Sequence, residues 1–218
     1  MLTLEAQPRD RMAIPDDIIP TLTPEPLEEI GPKIKDGDIL LCAAHDPFSK
    51  LIGWATKSPW SHVAVAYRWP ALGRVMAFES VQKLGVRAVP IEKFISQTSD
   101  GTTPFPGDII LARHDAWGDN KLEPEKLKAF ADFAVDQFGD PFAPLEIVKI
   151  GLRIGLSRFV DHLPKSLCPN DEYICSEYAD KCFEKAGIDI QWDGLGFIAP
   201  VDFAHDPNVH AVGRFKTQ

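Results

Sequence analysis

The stretch from His62 to Glu79 constrains the fold more than any other part of the chain. His62-Val63-Ala64-Val65-Ala66-Tyr67 is an apolar run, Trp69-Pro70-Ala71-Leu72-Gly73 carries turn formers, and Val75-Met76-Ala77-Phe78-Glu79 resumes the apolar run. Two such runs around a short loop containing Pro and Gly read as an antiparallel hairpin. Side chains of a strand alternate between faces, so His62, Ala64 and Ala66 share one face, as do Glu79, Ala77 and Val75 on the return strand. If the turn centres between residues 70 and 71, His62 pairs with Glu79. If it centres one residue later, His62 pairs with Val81 and Glu79 is its diagonal neighbour on the same face. Either register sets an imidazole beside a carboxylate.

Further strands frame this hairpin. Asp36-Gly37-Asp38 reads as a turn opening the run Ile39-Leu40-Leu41-Cys42, and Pro106-Gly107-Asp108 opens Ile109-Ile110-Leu111 in the same words. The likeness ends after about five residues, so it is shared turn chemistry rather than an internal repeat. The two runs are expected to be central strands of one sheet. A short strand is expected at Val86 to Val89, a helix start at Pro90 to Phe94, and a late strand at Val209 to Phe215.

The second half is mostly helical. Leu127, Phe130, Ala131, Ala134, Val135 and Phe138 fall at helical spacing between Pro124 and Gly139. Residues 145–160 carry Ile147, Val148, Ile150, Ile154 and Leu156, with Lys149, Arg153 and Arg158 on the polar side, and read as an amphipathic helix packed on the domain. A third helix runs from Cys175 to Ala186 and stops at Gly187. Its apolar face is Cys175, Tyr178, Ala179, Cys182, Phe183 and Ala186, with Ser176, Glu177, Asp180, Lys181, Glu184 and Lys185 opposite. Strands first and helices after give an α+β fold.

The 218 residues suit one domain, 34–218, preceded by an arm, 1–33, that holds six of the 19 prolines and is expected to be extended. The net charge of −9 argues against nucleic acid as a partner. The four cysteines form no CxxC pair, so a zinc site is not expected, and nucleophilic thiol chemistry needs no metal or organic cofactor. The acidic, Pro-containing start lacks the apolar core of a signal peptide, and no apolar run reaches the ~20 residues of a membrane span. A cytoplasmic setting with free thiols is the expectation; the composition leaves the oligomeric state open.

Cys175 is where a nucleophile belongs. It lies in the first turn of its helix, on the packed face, where unpaired amide N–H groups favour a thiolate and can receive an oxyanion. Cys42 and Cys182 read as small buried hydrophobes, and Cys168 as a loop residue. A nucleophile needs a base. His45, His114, His205 and His210 sit among turn residues and read as surface groups, and His162 lies near a helix end. His62 alone opens a strongly apolar strand, and Glu79 beside it can fix its tautomer.

These residues resemble, in their order, the circularly permuted NlpC/P60 superfamily of papain-like proteins, in particular its YiiX-like branch. In ordinary NlpC/P60 proteins the nucleophile helix precedes the histidine strand; in the permuted branch it follows. The order here is Gly37-Asp38-Ile39-Leu40, Ser61-His62-Val63-Ala64, Phe78-Glu79-Ser80 and Tyr173-Ile174-Cys175-Ser176-Glu177, covering roughly residues 34–205. The resemblance implies a permuted papain-like fold and a cysteine-dependent hydrolase of the amidase or peptidase type, with Cys175, His62 and Glu79 catalytic. Its substrate would be a small peptide, amide or lipid-like molecule. A lipid-directed acyltransferase or thioesterase, or a binding protein on the same fold, are the alternatives. The family's Gly-x-Pro-Tyr segment reads Gly139-Asp140-Pro141-Phe142 here, without the hydroxyl. Tyr173 and the Cys175 backbone N–H are then the oxyanion candidates.

Overall fold

The computed structural model describes residues 13–82, 84–98, 101–120, 123–141, 174–192 and 198–217. Strands β1 (Pro24–Glu25), β2 (Ile39–Ala44), β3 (His62–Trp69), β4 (Arg74–Val81), β5 (Gly85–Pro90), β6 (Gly107–His114) and β7 (Val209–Phe215) form one sheet in the order β1-β7-β6-β2-β3-β4-β5. All neighbours are antiparallel except β1 and β7. Helices α1 (Leu27–Ile30), α2 (Pro47–Thr56), α3 (Ile91–Ser96), α4 (Pro124–Asp136), α5 (Cys175–Lys185) and α6 (Pro200–His205) complete the α+β architecture. No helix of the described residues is long and apolar enough to cross a membrane.

The central strands are covered on both sides, which is why their sequences are continuous apolar runs rather than alternating ones. Ile39, Leu41, Val63, Val65, Ile110 and Ala112 enter one core with α4 and α5. Leu40, Cys42, Ala64, Ala66, Ile109 and Leu111 enter a second core with Ile30, Ile34 and α3. In α5 the expected apolar face is the buried one, and Phe183 meets the rings of His114, Trp117, Phe130 and Phe203 at centroid distances of 5.7 to 6.2 Å. Burying a ring of this size contributes about 1.5–3 kcal/mol, so Phe183, with Cys182 and Ala186 buried beside it, anchors the far end of α5. The N–H groups of Gly187 and Ile188 bond back to Glu184 and Phe183 and close that helix.

The hairpin adopts the later of its two registers. Trp69 pairs with Arg74 and Val65 with Phe78, around a 3-10 turn at Pro70–Leu72. The two Gly-Asp turns differ in kind. Gly37 has φ +78°, and a Cβ there would meet the Trp117 ring at 2.3 Å. Gly107 is already a strand residue, paired with Ala44, and is needed because a Cβ would meet the Ala43 carbonyl oxygen at 2.2 Å. The shared word thus serves a turn once and a close strand approach once.

Residues 13–33 are packed onto the domain. Ile14 and Ile30 are buried, β1 pairs with the last strand, and the Arg214 guanidinium donates to the carbonyls of Ile19 and Leu22 and to Asp108. Prolines at Pro20, Pro26 and Pro32 start or precede short helical turns, each permitted because a first-turn N–H has no intrahelical partner. The amphipathic segment 145–160, His162, Cys168, Phe142 and Tyr173 lie outside the described residues.

Candidate active site

β3 opens with His62, and its immediate neighbours are fixed by backbone bonds. Cys42 is its partner on β2, and Ser61 donates its N–H to the Cys42 carbonyl at 2.8 Å while its hydroxyl receives the Ala44 N–H at 3.1 Å. The histidine therefore starts the strand from a rigid corner. In the later register Glu79 stands diagonally across β4, and its Oε2 lies 2.9 Å from His62 Nε2. The Glu79 side chain is 3% exposed and that of His62 21%.

The helix of Cys175 and the side chain of His62 come from opposite sides of the sheet. Val63 and Val65 face the core of α5, whereas Ala64 and Ala66, with which His62 shares a face, face the core of α3. They meet because His62 is the first residue of its strand, where the sheet ends. Its ring lies 6.3 Å from that of Phe94 in α3 and also bonds to the Cys175 sulfur. Nε2 is held by Glu79, which leaves Nδ1 for the sulfur. The sulfur further accepts the backbone N–H groups of Val63 and Ser176.

The electrostatics follow from these contacts. Burial pushes the Cys175 thiol up, but the His62 charge, the His62 hydrogen bond and the two backbone N–H groups together bring it below its ordinary value. Burial pulls the imidazole down, and the Cys175 and Glu79 charges and bonds more than reverse that, to about 10. The two shifts are mutual: the charged form of each group favours the charged form of the other. Cys42 gives the contrast: burial, then the charges of Glu79 and Cys175, hold its thiol far above the usual range. Burial does the same to Cys182. Cys42, Cys175 and Cys182 are all free thiols, and Cys175 alone of the three is 7% exposed.

Three placements depart from the sequence-based expectations. Arg87, not anticipated, donates through Nε and a terminal nitrogen to Glu79 Oε1 at 2.9 and 2.7 Å. A signal existed: a turn centred on residue 83 sets 87 opposite 79, and Arg87 is the one charge in an otherwise apolar strand. Ser176, assigned to the solvent face of α5, is fully buried, with its hydroxyl on the Ile198 carbonyl at 2.7 Å. The helix start is covered there by the segment leading into α6, a contact that periodicity does not report. His114 is buried rather than superficial: it ends β6 beneath Phe183, and its Nδ1 accepts the Ala116 N–H at 3.1 Å.

The class defined by this fold is an α+β domain with a mostly antiparallel seven-stranded sheet, in which the histidine strand precedes the cysteine helix. By sequence, the chain matches no family model and no curated protein. Among solved structures it is similar to the crystal structure of the metalloprotein YiiX from Escherichia coli O157:H7, with a TM-score of 0.56 at 17% identity, over 83% of this chain and 97% of that one. The fold is YiiX-like.

Proposed function

We propose that this protein is a cysteine-dependent hydrolase of the amidase or peptidase type, on a permuted NlpC/P60-like domain. The observation that carries the reading is the continuous contact from the Cys175 sulfur through His62 to the buried carboxylate of Glu79. The thiolate attacks the carbonyl carbon of an amide, ester or thioester, and the electron pair moves to the oxygen. The N–H groups at the start of α5 receive that charge. The oxyanion collapses, the leaving amine, alcohol or thiol takes the imidazolium proton, and an acyl thioester remains. His62 then draws a proton from water, whose hydroxide attacks the thioester and restores the thiolate. Glu79 holds Nε2 throughout and so presents Nδ1 to the reaction.

YiiX of that structure is a metalloprotein. The donors at this site do not suit a metal ion. Glu79 is shared between the His62 ring and the Arg87 guanidinium, whose charge opposes a cation, and no group of three His, Cys, Asp or Glu among the described residues is disposed to hold one.

The test is mass spectrometry of the protein mixed with peptide amides, fatty-acyl esters and acyl thioesters, with turnover followed across pH. An acyl adduct on Cys175 is expected, and a bell-shaped rate profile whose alkaline limb falls near about 10. The acyl class that forms the adduct separates an amidase from a thioesterase. Hydrolysis that survives Cys175→Ser would rule out the thiol mechanism.

A further inference from the structure

We propose that Arg87 is a positioning residue of this site: by fixing one oxygen of Glu79 it aims the other at His62, and so sets the alignment of the imidazole that activates Cys175. The inference rests on the reading of Cys175 and His62 as nucleophile and base. It goes beyond that reading in making the site a chain of four.

The geometry is specific to a guanidinium. Nε and a terminal nitrogen both converge on Oε1, while Oε2 faces His62 Nε2, so each carboxylate oxygen serves one neighbour. A carboxylate held by two donors on one oxygen cannot swing about its last torsion without breaking both bonds. β4 and β5 are in direct register here, Glu79 opposite Arg87, so the backbone fixes the fork as firmly as the side chains do. Glu79 is 3% exposed and Arg87 28%. A buried carboxylate without a cation takes up a proton, and a protonated carboxyl no longer supports an imidazolium.

Among the described residues, the charged groups around the imidazole come from three elements. Cys175 comes from α5, Glu79 from β4 and, behind it, Arg87 from β5, with the neutral thiol of Cys42 from β2. Removing Arg87 takes a positive charge from this cluster, so proton affinities within it rise and the thiolate appears at higher pH. Lysine keeps the charge but cannot reproduce the two-donor fork.

The experiment is the alkylation rate of Cys175 by limiting iodoacetamide in the full chain, read by peptide mass spectrometry as the ratio of rates at pH 6 and pH 9. It needs no substrate. Cys42 and Cys182 serve as internal references, and melting temperature reports folding. Arg87→Gln is expected to lower the ratio about tenfold, the change in thiolate fraction for one unit of pKa. Arg87→Lys should lower it by a smaller factor. A ratio equal to wild type in folded Arg87→Gln overturns the proposal. So does one equal to wild type in Arg87→Lys, which also decides the matter if the glutamine variant does not fold. Shifted ratios in a protein that forms no acyl adduct would leave the role of Arg87 standing and remove the hydrolase reading.

Discussion

Two buried carboxylates, each held by an arginine, sit in different parts of the sheet and do different things. Asp38, at the entry to β2, is fully buried, and Arg113 grips both of its oxygens, Nε on Oδ1 at 2.7 Å and a terminal nitrogen on Oδ2 at 2.8 Å. The Lys35 N–H completes the set at 2.7 Å. Glu79, in β4, gives Arg87 only one oxygen and keeps the other for His62. Both arrangements are satisfied hydrogen-bond networks, but one is closed and the other passes on to a third residue. A closed pair can only hold the turn before β2 to the neighbouring strand β6. An open one conveys the position and charge of the carboxylate to the group beyond it. The direction of titration differs too. Burial pushes the Asp38 carboxyl up and Arg113 and Lys35 fail to reverse it, whereas His62 and Arg87 together overcome the burial of Glu79 and hold it below its usual value.

The largest effect that would break this comparison is on catalysis. Glu79→Gln keeps the shape of the side chain but removes the charge behind the imidazole. On the proposed hydrolase reading, turnover of an acyl substrate is expected to fall about 10²–10⁴-fold, while Asp38→Asn leaves turnover per folded molecule unchanged. Equal losses from the two variants would mean that the carboxylates are not functionally distinct.

The next effect is on stability and runs the other way. Arg113→Met leaves Asp38 buried without its cation, which is expected to cost about 3–5 kcal/mol in urea unfolding. Cys175→Ala, which interrupts the open chain at its far end, should cost less. A greater loss at Cys175 would place the structural keystone at the site instead.

The smallest effect is a difference of slope with pH. A carboxyl whose native pKa is lowered contributes stability above its unfolded value, about 4.3 for glutamate, and loses it as pH falls through the native value. One whose native pKa is raised contributes below its unfolded value, about 3.9 for aspartate, and loses that as pH rises through the native value. Glu79→Gln should therefore flatten the decline of stability on acidification, and Asp38→Asn should steepen it. Urea midpoints at pH 3, 4.5 and 6 would show whether the two slopes depart from wild type in opposite senses.

Much of this architecture was legible in the sequence because it is local. The hairpin, the late strand Val209–Phe215, the limits of α4 and the buried face of α5 all follow from turn residues and periodicity. The His62–Glu79 contact was legible for the same reason, since two registers compatible with one loop gave the same neighbours. What was not legible depends on covering by distant chain. Pro47–Thr56 forms a helix although its apolar run carries a glycine. Pro200–His205 is a helix too short for periodicity to announce, its first turn closed by the Asp202 carboxylate, which accepts the Ala199 N–H at 2.7 Å. His114 and Ser176 were misplaced because burial at the end of a strand or the start of a helix is decided by what crosses over it. Arg87 was missed because a lone arginine in a short strand has meaning only once the strand two residues beyond the turn is paired.

The position of Cys175 at the start of a late helix has a consequence for how the protein is made. His62 and Glu79 are 17 residues apart and can meet as soon as their hairpin forms. Cys175 follows β6 and α4, and β7, which completes the sheet beside β6, follows it in turn. Contacts of such wide sequence separation form late and slowly. The growing chain thus carries the imidazole and its carboxylate early, with a cysteine that has an ordinary thiol until the domain closes around it. The lowered pKa of Cys175 exists only once α5 has packed against β3, when the hairpin that carries His62 and Glu79 is in place.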